Sequence, residues 1–174
     1  NNNLKGVIIS SNKDDFSAGM DLKVLAHLQD QSKNKEEIFQ FVMRAHQFLR
    51  KIELGGIDPK TKKGGIPFVW ACNGLSAGIA TEIGLACHYR IATDEKNTKI
   101  GLPEILVGLF PGAGGATRVS RMLGLMSSAP ILMEGRMFSA QKAKAIGLID
   151  KVSNPLDLIN EAKNWILNVK KEDI

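Results

Sequence analysis

The chain has 174 residues, of which 44% are apolar, 24% are charged and 6% are aromatic. This length suits one domain with a buried core, and no apolar run approaches the length that spans a bilayer. The net charge of +5 is mild and the lysines are scattered, whereas nucleic-acid binding favours a basic stripe with aromatic residues beside it. We therefore expect a globular protein that neither spans a membrane nor binds nucleic acid.

Strand and helix patterns alternate along the chain, which predicts an α/β fold. Short β-branched or apolar runs predict strands at residues 6–10, 68–72, 89–92 and 148–152. Helical spacing of apolar residues and end signals predict helices at residues 36–53, 77–87, 116–123, 139–146 and 155–169. Ser139 is the predicted cap of the fourth helix. The small-residue segment at 16–22 and the segment that begins at 102 are predicted loops.

Glu82 is the single acid in the predicted helix at 77–87, where Ile79, Ile83 and Leu85 are among its neighbours. A carboxylate in apolar surroundings is costly unless it is paired or used. Two interpretations stay open on the residues alone. Glu82 is either an acid satisfied by a backbone amide or a cation, or a functional group.

Glu104 follows Pro103 and precedes the apolar run at 105–107. An acid in the first turn after a proline is a common helix start. The position of Glu104 alone therefore favours a structural role over a catalytic one.

Two segments of small residues, 17–19 and 75–78, each follow a predicted strand, and the second also opens a helix. Glycine permits close approach of a ligand to the main chain, and a helix start carries a partial positive charge. Such segments can aim two backbone N–H groups at one oxygen and form an oxyanion hole. Tight packing explains either segment equally well by itself.

A dinucleotide-binding loop is the rival interpretation of the glycine-rich run at 112–117, with Glu134 near the spacing of a ribose-binding acid. The last position of the run is a threonine, and Pro111 interrupts the segment where a strand should end. Both features count against dinucleotide binding.

The histidines and cysteines form no catalytic or metal-ligating pattern. No nucleophile motif accompanies His27, His46 or His88. The spacing of Cys72 and Cys87 fits no zinc site, so we expect two buried free thiols and no metal.

Four segments, in this order, resemble the enoyl-CoA hydratase/isomerase (crotonase) family. They are residues 16–23, residues 73–82, residues 101–104 with 108–115, and residues 135–152. The run at 85–92 is most similar to the hydratase domains of multifunctional fatty-acid β-oxidation enzymes.

The resemblance implies a fold, an assembly and a location. The fold is the crotonase (ClpP-like) spiral of repeated ββα units, assembled as a homotrimer or hexamer. Residues 1–174 are expected to form a single domain that is truncated at one or both ends and belongs to a longer chain. No targeting segment is visible, so the implied location is cytoplasmic in a bacterium, and mitochondrial or peroxisomal in a eukaryote.

The resemblance also implies a site for an acyl-CoA thioester, with CoA as part of the substrate and no separate cofactor. Glu82 and Glu104 correspond to the catalytic acids, and the backbone N–H groups of Met20 and Ile79 to the oxyanion hole. The residues implied along the CoA path are Ser17, Ala18, Asp21, Leu22 and Lys23. The supporting loop residues are Gly78, Pro111 and Gly112, and no metal is implied.

The implied reaction is the addition of water across the 2,3 double bond of a trans-2-enoyl-CoA in fatty-acid β-oxidation. Glu104 is expected to donate a proton to Cα, and Glu82 to orient and deprotonate water, because paired acids with separated pKa values can divide this work. The alternatives are a Δ3-Δ2 enoyl-CoA isomerase, another acyl-CoA enzyme of the family, or an inactive acyl-CoA-binding or assembly module. Two departures from the family motif bear on this choice: Ile79 stands where glycine is usual, and Trp70 where a small residue is usual.

Overall fold

A computed structural model of the chain describes residues 3–24, 35–58, 60–61, 65–170 and 174. Four parallel strands form the larger sheet. In chain order they are β1 (Val7–Ile9), β2 (Phe68–Cys72), β4 (Tyr89–Thr93) and β7 (Lys151–Ser153), and they lie side by side in the order β1-β2-β4-β7. The predicted strands at 6–10, 68–72 and 89–92 are confirmed to within a residue at each end.

A smaller sheet of three strands was missed by the sequence analysis. It consists of β3 (Leu75–Ala77), β5 (Lys99–Gly101) and β6 (Met137–Phe138), with β3 parallel and β6 antiparallel to β5. These strands are only two or three residues long, which is too short to show an alternating pattern. Their extended conformation depends on pairing with distant segments.

Within the described ranges, five helices have both ends defined, and a short 3-10 helix lies at Glu104–Val107. The helices are α1 (Lys35–Leu54), α2 (Ile79–Ala86), α3 (Gly115–Leu132), α4 (Ala140–Ala145) and α5 (Leu158–Asn168). Ser139 caps α4 as predicted, because its side chain accepts a hydrogen bond from the N–H of Lys142.

The predicted end of one helix is confirmed, and the predicted start of one strand was wrong. The helix predicted to end at 123 does end there, because Gly124, with φ 76° and ψ 167°, is non-helical; a second helical segment follows to residue 132, and α3 denotes the two together. The strand predicted at 148–152 begins only at Lys151. The N–H groups of Leu148 and Ile149 both bond the Ala143 carbonyl, so the preceding apolar residues belong to the turn after α4.

The repeated ββα units that the resemblance implied are present. The chain runs β2-β3-α2 and then β4-β5-α3, and the first strand of each unit enters the larger sheet while the second enters the smaller one. Strands β3 and β5 pair with each other in the smaller sheet, and α2 begins two residues after β3 ends. The start of α2 therefore lies close to β3 and β5.

Strand β2 is buried on both faces, as expected of a parallel sheet covered by helices. Val69 and Ala71 face α5, where Leu158 and Ala162 complete an apolar cluster. On the opposite face, Trp70 belongs to the main core. This alternation follows from the two-residue period of a strand.

The bulky Trp70 is accommodated because a glycine faces it. A Cβ placed on Gly84 of α2 would lie 2.6 Å from Trp70 Cδ2, and Phe16 packs on the same indole with the ring centroids 5.3 Å apart. The departure at Trp70 therefore changes local packing without displacing α2 from the sheet.

Gly84→Ala is predicted to lower the free energy of unfolding. Overpacking costs about 1–3 kcal/mol, which exceeds the gain of about 1 kcal/mol from replacing a helical glycine. Urea denaturation measures the difference, and Gly112→Ala is the matched control because its nearest contact would be at 3.9 Å. We expect the double variant Gly84→Ala/Trp70→Phe to recover stability, because the smaller ring leaves room for the added methyl group. Equal stability of Gly84→Ala and Gly112→Ala would contradict the overpacking argument.

Candidate active site

The two small-residue segments lie side by side. Ser17 forms a parallel bridge with Ser76; the Ser17 N–H donates to the Leu75 carbonyl, and the Ala77 N–H donates to the Ser17 carbonyl, both at 3.0 Å. The pairing continues to Gly19, where an added Cβ would lie 3.9 Å from the Gly78 Cα. Met20 follows Gly19 along the chain, and Ile79 follows Gly78.

Met20 and Ile79 offer backbone donors at this junction. Gly78 precedes α2 with φ 59° and its own N–H donates to the Gly101 carbonyl at 3.2 Å. Within the described part of the chain, no acceptor is bonded to the N–H of Met20 or Ile79. Free amides at a helix start carry a partial positive charge, so this junction suits a developing oxyanion.

Glu82 lies in the first turn of α2 and is only 2% exposed. Its Oε1 accepts hydrogen bonds from the N–H groups of Ala113, at 2.9 Å, and Gly115, at 2.7 Å. Among the described residues, no hydrogen bond reaches Oε2. Backbone amides therefore satisfy one oxygen of the carboxylate, as the structural interpretation required, and the other oxygen is left for a water or substrate.

The loop at 113–115 approaches Glu82 closely because it contains glycines. A Cβ on Gly115 would lie 2.8 Å from Glu82 Oε1, and Gly114 has φ 92° in the left-handed region that favours glycine. Ala113 and Gly115 are contributors to the site that sequence reasoning did not identify. The glycine-rich run was the available signal, but it does not show which amides point at Glu82.

Glu104 begins the 3-10 helix and lies against the start of α2. A Cβ on Gly78 would be 3.2 Å from Glu104 Oε1, whereas Oε2 is buried with no hydrogen-bond partner among the described residues. The Glu104 carboxylate therefore borders the junction formed by Gly78 and Ile79. A buried oxygen without a partner costs free energy, which favours a protonated or substrate-bound form.

Burial raises the pKa of both acids. For Glu82, burial raises the pKa by more than the hydrogen bonds from the Gly115 and Ala113 amides and the charges on Arg118 and His46 lower it. For Glu104, burial is again the largest cause, and the charge of Glu82 raises its pKa further. The two acids differ in their donors. Two loop amides stabilise ionised Glu82, whereas a hydrogen bond from its own N–H lowers the pKa of Glu104, and Glu104 Oε2 has no donor among the described residues.

The residues expected along the CoA path form an exposed edge beside this junction. Ser17 is half-buried, and the Asp21 side chain accepts from the Lys23 N–H at 2.8 Å. The exposed members are Ala18, Asp21, Leu22 and Lys23. Pro111 and Gly112 lead into the loop that holds Glu82.

Within the described ranges, no three His, Cys, Asp or Glu side chains group as metal ligands, and no helix is long and apolar enough to cross a membrane. Cys72 and Cys87 are buried free thiols, as predicted, and burial raises the pKa of Cys87 to about 12. His27 lies outside the described residues.

The sequence matches the pattern of one protein family, Enoyl-CoA hydratase/isomerase, over residues 1–173. The fatty acid oxidation complex subunit alpha of Vibrio parahaemolyticus is 34% identical over 170 residues, which are 94% of this chain and 22% of that protein. The same subunit of Shewanella loihica is 36% identical over 146 residues, 84% of this chain and 19% of that protein. The chain thus spans about a fifth of the length of these curated relatives.

Solved structures agree with the sequence relatives. An enoyl-CoA hydratase from Bacillus anthracis has a TM-score of 0.76 at 30% identity, covering 93% of this chain and 57% of that one. One from Thermoplasma volcanium has a TM-score of 0.79 at 26% identity, covering 96% of this chain and 61% of that one. This chain therefore belongs to the enoyl-CoA hydratase/isomerase family and has its crotonase fold.

Glu82→Gln is predicted to stabilise the chain near neutral pH. Because the folded pKa of Glu82 is raised above its ordinary value of 4.5, wild-type stability falls as pH rises from that value through the folded pKa. The effect is about 1.4 kcal/mol for each tenfold change in the protonation equilibrium. Glutamine does not ionise, and its oxygen can still accept from the two amides.

Urea denaturation at about pH 4 and about pH 8 tests this prediction. The variant should exceed the wild-type chain in stability only at the higher pH, whereas the exposed-acid control Glu37→Gln should follow the wild-type chain at both. A Glu82→Gln variant that is less stable at both pH values, with unchanged pH dependence, would contradict the burial argument.

Proposed function

We propose that this chain adds water across the 2,3 double bond of trans-2-enoyl-CoA thioesters to give 3-hydroxyacyl-CoA. The observation that carries the proposal is the placement of Glu104 against Gly78, beside the N–H of Ile79, with Glu82 in the first turn of the helix that Ile79 begins. Two carboxyl groups and two backbone donors then surround one small region, as the hydration of a conjugated thioester requires.

The backbone donors have the first task in this proposal. Water adds at Cβ only if the charge that builds on the thioester oxygen is stabilised. The N–H groups of Met20 and Ile79, reinforced by the start of α2, supply that stabilisation. Main-chain donors do not depend on side-chain identity, so Ile79 can replace glycine here provided that its branched side chain leaves room for the acyl group.

The two acids divide the proton transfers. Glu82 is tied to the loop through Oε1, so its free Oε2 orients a water and takes the proton as the water oxygen bonds to Cβ. Glu104 delivers a proton to Cα. The substrate thereby gains a hydroxyl group at Cβ and a hydrogen at Cα, which together make one water. Activity therefore needs Glu82 ionised and Glu104 protonated, and it falls at low pH as Glu82 gains a proton and at high pH as Glu104 loses one.

The substrate class rests on the family and on the exposed edge beside the junction. Ser17, Ala18, Asp21, Leu22 and Lys23 are proposed to line the CoA path. The curated relatives bear the name of a fatty acid oxidation complex subunit, so fatty-acid oxidation is the proposed setting. No separate cofactor enters the proposed reaction.

A Δ3-Δ2 isomerase is the second candidate, favoured by the position of Glu104 beside Cα in this arrangement and by the breadth of the family. Isomerisation moves protons without consuming water, so it can proceed without the water-orienting acid. Incubation with 3-enoyl-CoA separates the candidates, because an isomerase increases the conjugated enoyl absorbance and a hydratase given 2-enoyl-CoA removes it.

Glu82→Gln and Glu104→Gln are each predicted to lower kcat for crotonyl-CoA hydration by about 10²- to 10⁴-fold, the usual contribution of a general acid or base. Both substitutions preserve shape, so KM should change little. Loss of the conjugated absorbance measures the rate, and Glu37→Gln should retain wild-type activity.

Three outcomes of this assay are decisive. Full activity in Glu104→Gln would remove its role as proton donor. If Glu82→Gln loses hydration but retains isomerisation, Glu82 acts only on the attacking water and not in proton transfer at Cα. A folded wild-type chain that binds acyl-CoA without hydrating it would overturn the proposal in favour of a binding module.

A further inference from the structure

We propose that Arg118, anchored by Glu53, is a positioning residue for the Glu82 carboxylate and acts through the loop at 113–115. The inference rests on the proposed function, since it assigns Arg118 a part in preparing Glu82 for water. Arg118 does not border Met20, Ile79 or Glu104, so it is not a catalytic residue itself.

A hydrogen bond connects the Arg118 guanidinium to the loop, because Nη1 donates to the Ala113 carbonyl at 3.0 Å. The backbone N–H of Arg118 also donates to the Gly114 carbonyl at 3.0 Å, a main-chain bond that does not depend on the side chain. The Ala113–Gly114 peptide unit lies between the two units whose N–H groups bond Glu82 Oε1. Fixing that central unit fixes the direction of both donors.

The loop needs such a constraint because it contains Gly112, Gly114 and Gly115. Glycine has the largest conformational freedom of any residue, and Gly114 occupies the left-handed region with φ 92°. A loop of this composition can hold two donors on one carboxylate oxygen only if other contacts restrict it. Arg118 supplies that restriction from the first turn of α3.

Glu53 holds Arg118 in place from the last turn of α1. Arg118 Nη2 lies 3.3 Å from Glu53 Oε2, and the Arg118 side chain is only 12% exposed. Burial pushes the pKa of Glu53 upward, but the hydrogen bond from Arg50 and the charge of Arg118 outweigh it, so the pKa lies below its ordinary value and the carboxylate stays ionised. A buried guanidinium that loses its counterion is strongly destabilised, so Glu53 determines the position of Arg118.

The charged groups around Glu82 explain the expected effect on titration. Arg118 and His46 face it and favour its ionised form, and a Cβ on Gly114 would lie 3.5 Å from His46 Nδ1. Glu104 is the acid on the other side, and its pKa is raised by the charge of Glu82. Removing Arg118 takes away both a positive charge and the restraint on two amide donors, so the pKa of Glu82 should rise.

Arg118→Gln and Arg118→Lys are the informative pair. The first should lower kcat by about 10- to 100-fold, the range typical of residues that orient a functional group, with KM nearly unchanged. It should also move the acidic limb of the pH–rate profile to higher pH, because Glu82 must be ionised to act. Arg118→Lys keeps the charge but lacks the planar fork, so it should retain the acidic limb and recover kcat only in part.

Arg121→Gln is the matched control. Arg121 lies three residues further along α3 and is exposed, so its substitution removes the same charge without a bond to the loop, and it should leave kcat and the pH profile unchanged. A folded Arg118→Gln variant with wild-type kcat and an unmoved acidic limb overturns the proposal, as does an equal loss of kcat in Arg121→Gln.

A direct titration separates this inference from the proposed reaction. NMR of chains labelled with ¹³C at the Glu side-chain carboxyl follows Glu82, assigned by its absence in Glu82→Gln. Arg118→Gln should shift its midpoint to higher pH whether or not the chain hydrates crotonyl-CoA. If Arg118→Gln does not fold, Glu53→Gln is the second variant, since it removes only the ion pair that holds Arg118. It should shift the titration midpoint of Glu82 in the same direction. An unchanged midpoint in Glu53→Gln would refute the positioning role of Arg118.

Discussion

Two backbone amides, those of Ala113 and Gly115, donate hydrogen bonds to one oxygen of the buried Glu82 carboxylate. Glu82 belongs to α2, and the loop at 113–115 packs against it. A buried carboxylate without donors would be too costly to keep ionised, so these amides are the condition on which Glu82 can serve as a base. They orient the carboxylate through Oε1 alone and leave Oε2 without a protein partner among the described residues. One oxygen therefore fixes the group, and the other is free for chemistry.

At both acids of this site, a glycine lets the main chain lie close to the carboxylate. Gly78 brings the Glu104 carboxylate against the start of α2, and Gly115 brings the loop against Glu82. A side chain at either position would separate groups that the proposed reaction needs close together. Stability and function also oppose each other here, because burial raises the pKa of both acids and makes their ionised forms destabilising to the fold.

Helix α1, the strands β1, β2 and β4 and the cap at Ser139 were predictable because each has a local pattern, whereas the ββα order was implied by the resemblance to the family. The short strands β3, β5 and β6 were not predictable, since pairing between distant segments determines them, and the second helical segment of α3, beyond Gly124, was not predicted. The acids and amides of the site were identified through resemblance rather than through spacing. Which amides bond Glu82, and how Glu53 holds Arg118, depend on contacts across 31 to 65 residues of sequence that no local pattern reports.

In the proposed reaction the Met20 and Ile79 amides hold one substrate oxygen, while Glu82 and Glu104 flank the bond that changes. A crystal structure of the chain with a bound 3-hydroxyacyl-CoA would test this arrangement. We expect the thioester oxygen at about 2.7–3.1 Å from both backbone nitrogens, with the 3-hydroxyl group next to Glu82 Oε2 and Cα facing Glu104. A thioester oxygen bonded to neither amide, or a hydroxyl group distant from both carboxylates, would contradict it.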